Sequence, residues 1–131
     1  KPGGRLVFAV WGVPADQSSV GAFFGAVVAH HDLAELPHGP LFGVTEQSVY
    51  EPLLAQAELN DCCLTMHDVT WQMDSLDPLL QGFWDWGNLA ALPVETQAKI
   101  RDTTRENSQA FNKDGRFVFP HTALLGVAMK A

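Results

Sequence analysis

Between Leu6 and Ala98 the chain has no lysine and no arginine, although twelve carboxylates fall in the same stretch. Phosphate backbones are held by clustered cations that release counterions, so this stretch offers nothing to a nucleic acid. The later cations, Lys99, Arg101, Arg105, Lys113 and Arg116, are interleaved with Glu95, Asp102, Glu106 and Asp114. That alternation reads as a solvated helix face, not a basic patch. Cysteine is scarce too. Cys62 and Cys63 are adjacent, and a bond between neighbours closes a strained ring that staples nothing, which excludes a disulfide framework. Two free thiols suit a reducing cytosol, so a cytoplasmic location is expected. No apolar run approaches the roughly 20 residues of a membrane span, and no signal peptide is visible. Neither a nucleic-acid nor a membrane partner is expected.

What is present can build a core. The chain has 131 residues, 47% of them hydrophobic, with four Trp and eight Phe and a net charge of −7. That is one domain's worth of chain.

The first residues, KPGGRLVFAVWG, set a question. Lys1-Pro2-Gly3-Gly4 has the chemistry of a turn, with Pro2 presetting φ at the first corner and Gly3 free to take positive φ at the second. Arg5–Trp11 then reads as a strand apolar on both sides, which belongs inside a sheet covered on both faces. Such a strand rarely comes first, and there is no initiator Met. The expectation is that an upstream part of the protein is missing.

Ser18 or Ser19 can cap the next helix. There Val20, Phe23, Phe24, Val27 and Val28 form an apolar stripe, and Gly21, Gly25 and Ala29 a small-residue ridge suited to close packing. Leu36–Gly43, with two Pro and two Gly, is a loop. Thr45 or Ser48 caps a second helix through Leu59, in which Pro52 is tolerable only near the start. Asp61–Met73 has the β-propensity of a strand. Ser75 caps a short helix ending at Gly87, and Pro93 opens a longer polar one through about Phe111. Asn112–Gly115 is a turn, Arg116–Pro120 is extended, and Ala123–Met129 is a last strand, again apolar on both faces. The order strand, helix, helix, strand, helix, helix, strand, with short strands, gives an α/β layout.

Polar chemistry is thin. His30, His31 and His38 lack the spacing of a metal set, so no metal is expected. His67-Asp68 and His121 carry groups that titrate near neutrality, but no nucleophile elbow accompanies them, and no catalytic residue is assigned. Cys62 and Cys63 read as small core residues.

KPGGRLVFAVWG resembles the (L)KPGG turn and fifth strand of class I S-adenosylmethionine-dependent methyltransferases. TEQSVYEPLLAQAELNDCCLTMHDVTW resembles that family's next helix, turn and sixth strand. HTALLGVAMKA resembles its seventh. The helices from about 75 to 111 sit where many members carry an insertion. The resemblance implies a single domain over 1–131, the C-terminal portion of a Rossmann-like methyltransferase sheet. It would hold three adjacent strands, with Ala123–Met129 antiparallel between Leu6–Trp11 and Cys62–Thr70 and helices packed around them. It also implies S-adenosylmethionine as cofactor and a small-molecule methyl acceptor for the full-length protein. The Gly-rich turn and the acidic strand end that grip the cofactor are absent, so this chain alone is expected neither to bind it nor to be active.

In the resembled family the segments after strands five and six cover the substrate. That makes Trp71, Phe83, Trp84 and Trp86 candidate substrate-binding residues, together with Trp11 at the strand end where open α/β sheets place ligands. The structural alternative is that these rings are core. A second functional reading is a self-standing dimerisation or apolar-ligand-binding module. In either case the bare edge of strand 6–11 implies a homodimer, by edge pairing or by exchange of elements.

Overall fold

The computed structural model describes residues 2–13, 16–32, 47–87 and 89–130. The expected loop Leu36–Gly43, with His38, and the cap candidate Thr45 lie outside them. In chain order the elements are β1 (Arg5–Trp11), α1 (Ser18–His30), α2 (Gln47–Gln56), β2 (Leu59–Met73), α3 (Asp77–Trp86), α4 (Val94–Ser108), β3 (Asn112–Lys113) and β4 (Arg116–Lys130). Short 3-10 turns at Leu89–Ala91 and Gln109–Phe111 flank α4.

The sheet order is β1-β4-β2, with β3 pairing back on β4. Strand β4 is antiparallel to both neighbours, with Phe8 opposite Gly126 and Trp71 opposite Phe119. The last strand therefore lies between the first and second, the arrangement expected from the resemblance. Gly126 is required for this closeness, because a Cβ there would run into the Phe8 ring. Gly3 takes φ 74, as the opening turn requires. Asp114-Gly115, both at positive φ, make the two-residue turn between β3 and β4.

Two layers of helix flank the sheet. On one face, Tyr50 and Leu54 of α2 pack on Leu124 and Ala128 of β4, against Phe8 and Val10 of β1 and Leu59 and Leu64 of β2. On the other, Leu76, Leu79 and Leu80 pack on Phe117 and Phe119. Helices α1 and α4 join there through Phe23, Ala26, Val27, Trp84, Leu89 and Ile100, and the Asn107 amide donates to Ala22 O at 3.0 Å. Burying a side chain such as Phe23, Phe119 or Leu124 completely contributes about 1.5–3 kcal/mol each.

Several expectations are corrected. Strands β2 and β4 are 15 residues each, not short, because Arg116–Pro120 and the last strand run on without a break. Strand β1 is not covered on both faces: Val7 is 63% exposed and Trp11 45%. The helix cover changes side along β4, which buries Phe117, Phe119 and His121 on one face and Leu124, Gly126 and Ala128 on the other. The open half-face falls on Val7, Leu125 and their neighbours.

In α1 the buried stripe is Ser19, Ala22, Phe23, Ala26 and Val27, rotated from the expected one. The packed helix α4 accepts small residues, and Val28 turns to solvent. The Gly21/Gly25/Ala29 ridge is correspondingly exposed; a Cβ at Gly25 would touch the Asn107 side chain, and one at Gly21 would meet nothing among the described residues. No serine caps α1: Gln17 is at the cap position without a side-chain bond to it, since Ser19 is engaged elsewhere. Helix α2 starts at Gln47, which puts Pro52 beyond its first turn. Pro93 is the residue before α4 rather than its first. Cys62 and Cys63 are exposed, not core, because they sit beside a register shift between Asn60 and Cys63 with no strand among the described residues on their outer side.

Candidate functional site

Trp11 is the last residue of β1. The chain leaves it through Gly12, whose N–H donates to Thr122 O at 2.8 Å. A Cβ at Gly12 would collide with Thr122 Oγ1, so glycine lets the chain turn off the sheet this closely. The Gln17 side chain extends the same ladder. Its Nε2 donates to Thr122 O at 2.9 Å and to Thr122 Oγ1 at 3.3 Å. Thr122 Oγ1 in turn donates to the Asp16 carboxylate at 3.4 Å. Gln17 is 4% exposed, and its Oε1 has no hydrogen-bond partner among the described residues.

On the adjoining face three rings meet. The Trp11 and Trp71 rings pack edge to face at 5.3 Å, and Trp71 lies 4.6 Å from the His121 ring. Register places them together: Trp11 is opposite Ala123 and Trp71 is opposite Phe119 across β4. His121 is almost wholly buried, 3% exposed. One ring nitrogen, Nδ1, lies 2.9 Å from Phe119 O and the other, Nε2, 2.7 Å from Ser19 Oγ. A carbonyl can only accept, so Nδ1 carries the proton and Nε2 accepts from the Ser19 hydroxyl. Burial holds the His121 pKa below the ordinary histidine value, against the smaller opposing effect of the Phe119 carbonyl. The imidazole is neutral near pH 7, and both of its nitrogens are taken. It anchors α1 to β4 behind the two tryptophans and is not available to a ligand as acid or base while the Ser19 bond is made.

The candidate rings divide. Trp11 and Trp71 come together and Trp11 is open to solvent. Phe83 reaches the core cluster that Trp71 also touches, but stacks on Phe23 at 4.6 Å. Trp84 is buried under the Arg101 guanidinium, 3.8 Å from its centroid, and donates to Gln97 Oε1 at 3.3 Å. Trp86 meets Phe24 edge-on at 5.8 Å. Gln17, Ser19 and Thr122 were not singled out as site residues. Ser19 had a signal only as a cap, and nothing in the local pattern marks Gln17 or Thr122, which are distant in sequence.

The acidic residue that follows β2, Asp74, is held by Arg116 at 2.8 Å. Among the described residues no group of three His, Cys, Asp or Glu side chains is placed to hold a metal ion. No helix among them is long and apolar enough to cross a membrane.

Neither a protein-family model nor a curated protein matches this chain. Among solved structures it is similar to a Bacillus halodurans C-125 protein described as a "putative methyltransferase", at 22% identity and a TM-score of 0.42. The match covers 99% of this chain and 57% of that one, so this chain spans little more than half of that protein's length.

Proposed function

We propose that the chain is the substrate-side, C-terminal portion of an S-adenosylmethionine-dependent methyltransferase acting on a small molecule. The cofactor-binding half lies outside it, and the chain by itself is inactive. The observation that carries this reading is the strand order: a last strand antiparallel to both neighbours and inserted between them, following a KPGG turn. S-adenosylmethionine bound by the complete enzyme would supply a sulfonium methyl group to an acceptor nucleophile and leave as the neutral thioether, and positioning of the acceptor would supply much of the barrier reduction. Trp11 at the end of β1 and Trp71 of β2 line the acceptor side, where a flat or apolar molecule can lie against exposed indole.

The test is the complete reading frame. The upstream sequence is expected to supply a strand, a Gly-rich turn and a helix, and the full-length protein to bind S-adenosylmethionine saturably in calorimetry while the 131-residue chain gives no saturable heat. An upstream sequence without that unit, or tight binding by the short chain, overturns the reading.

A further inference from the structure

The row of the sheet in which β1 ends runs from Trp11 across Ala123 of β4 to His67 of β2, because Ala123 is the register partner of both. Residues directly opposite one another share a face. The indole and the imidazole therefore project on the same side, with one methyl group between them. Strand spacing puts their Cα atoms about 10 Å apart. Trp71, further along the same face of β2, closes one end against Trp11. The next row, Ala9, Leu125 and Thr65, bounds the other.

His67 is exposed, and among the described residues its ring has no hydrogen-bond or ionic partner. His121, its neighbour on this face from β4, has both nitrogens engaged. No carboxylate or cation of the three strands belongs to the row. Asp68 is opposite Thr122 and faces the other side, and Arg5 is at the far end of β1. A charged ligand finds no counter-charge here. The row is set by β1, β4 and β2 alone, whatever pairs beyond β1.

We propose that this row is the acceptor subsite, and that the acceptor is an uncharged planar ring bearing a phenolic hydroxyl. The ring lies against the exposed Trp11 indole over Ala123. The hydroxyl donates to His67, the catalytic residue that takes its proton. This rests on the methyltransferase reading and adds to it a substrate class. The atoms balance: the hydroxyl oxygen gains the methyl carbon, the carbon–sulfur bond of a methyl sulfonium breaks with its electron pair left on sulfur, and the hydroxyl proton goes to the imidazole. A phenol keeps its proton up to about pH 10, so transfer at neutral pH needs an adjacent base, and imidazole is suited to that task. Trp11 supplies contact area and His67 supplies discrimination. A group that accepts from the O–H has nothing to accept once the oxygen is methylated, which favours release of the product.

5-Hydroxyindole and 5-methoxyindole probe the site in NMR titrations of the 131-residue chain. 5-Hydroxyindole is expected to shift the His67 ring protons and the Trp11 indole N–H together, and to bind about fivefold tighter than 5-methoxyindole. His67→Ala, at an exposed position, is expected to abolish that preference while keeping Tm and the affinity for 5-methoxyindole. His67→Gln retains an acceptor oxygen and restores the preference. In the full-length protein with S-adenosylmethionine bound, 5-hydroxyindole is expected to become 5-methoxyindole, with kcat about 100-fold lower in His67→Gln and KM little changed. No shift at His67, equal affinity for the two indoles, or a preference that survives His67→Ala overturns the proposal. So does a full rate in His67→Gln, or no methylation of 5-hydroxyindole by a full-length protein that binds the methyl donor. A full-length protein that does not bind the donor overturns the methyltransferase reading instead, and the titrations are read without it.

Discussion

Replacing Ser19 by Ala tests the reading of the buried His121 in a way that few other substitutions can. Ser19 and His121 are both essentially closed to solvent, and the hydroxyl is the donor to Nε2 at 2.7 Å. Ala fits the space, so little packing is lost. What remains is a buried imidazole acceptor that has lost its donor, a loss of about 1–3 kcal/mol. For a chain of this size that lowers Tm by about 4–12 °C. Tryptophan fluorescence reports it directly, since Trp71 lies against the His121 ring.

The pH dependence sharpens the test. His121 has its pKa lowered by burial, so the unfolded chain binds its proton more readily than the folded one. Stability is then full above the ordinary histidine value of about 6.5 and is lost as pH falls below it, by at most about 1.4 kcal/mol per pH unit from this group. His121→Leu is expected to flatten that slope near pH 6, and Ser19→Ala to shrink it, because the hydroxyl favours the neutral ring. A double mutant that costs much less than the two single changes together completes the cycle. The reasoning is refuted if Ser19→Ala changes stability by less than about 0.5 kcal/mol, or if acidification to pH 6 has the same effect on wild type and His121→Leu.

Gly126→Ala drives a methyl group into the Phe8 ring; a loss of about 1–3 kcal/mol in urea denaturation is expected, of the size overpacking gives, and a neutral result means that β1 and β4 are not this close. Leu124→Ala empties a wholly buried position between β4 and α2 and should cost about 2–5 kcal/mol, whereas the exposed Val28→Ala should stay within about 0.5 kcal/mol. Trp11→Ala is expected to change stability little and to remove the more solvent-exposed emission of the Trp11–Trp71 pair. A red edge unchanged by that substitution argues against an open Trp11.

The strands were legible because their local signals agreed. The KPGG turn, the apolar run after it and the β-branched stretch into Met73 each pointed one way, and the segments that form β1, β2 and β4 followed. The burial of those strands was not legible. A run such as LVFAVW says only that two faces could be covered, and which half-face receives a helix is decided by α2 and α3 attaching at opposite ends of β4. The same limit explains α1. Periodicity gave the apolar stripe Val20, Phe23, Phe24, Val27 and Val28, and the facing surface of α4, with Asn107 and Ile100, instead buries the face one residue back, which carries Ala22 and Ala26. Long-range pairs left no trace at all: Ser19 and His121 are 102 positions apart, and Gln17 meets Thr122 across 105.

The position of the candidate site follows from the switch in cover along β4. Up to His121, alternate residues are buried beneath α3 and α1; from Leu124 onward the buried set lies on the opposite face, beneath α2. Between them, Thr122 and Ala123 belong fully to neither helix layer. That gap is where β1 ends, so Trp11 loses cover on the face it shares with Val7 while Trp71, one step further along the same face, keeps it. The half-buried indole pair is therefore a consequence of the fold changing sides. An additional helix laid over Val7 and Leu125 would close it. Any upstream part of the protein that packs there must stop short of Trp11, or the acceptor side of the proposed enzyme is lost. Protection of Val7 but not of Trp11 from hydroxyl-radical labelling in the full-length protein is the expected pattern, and protection of both would show that the opening is not an acceptor site.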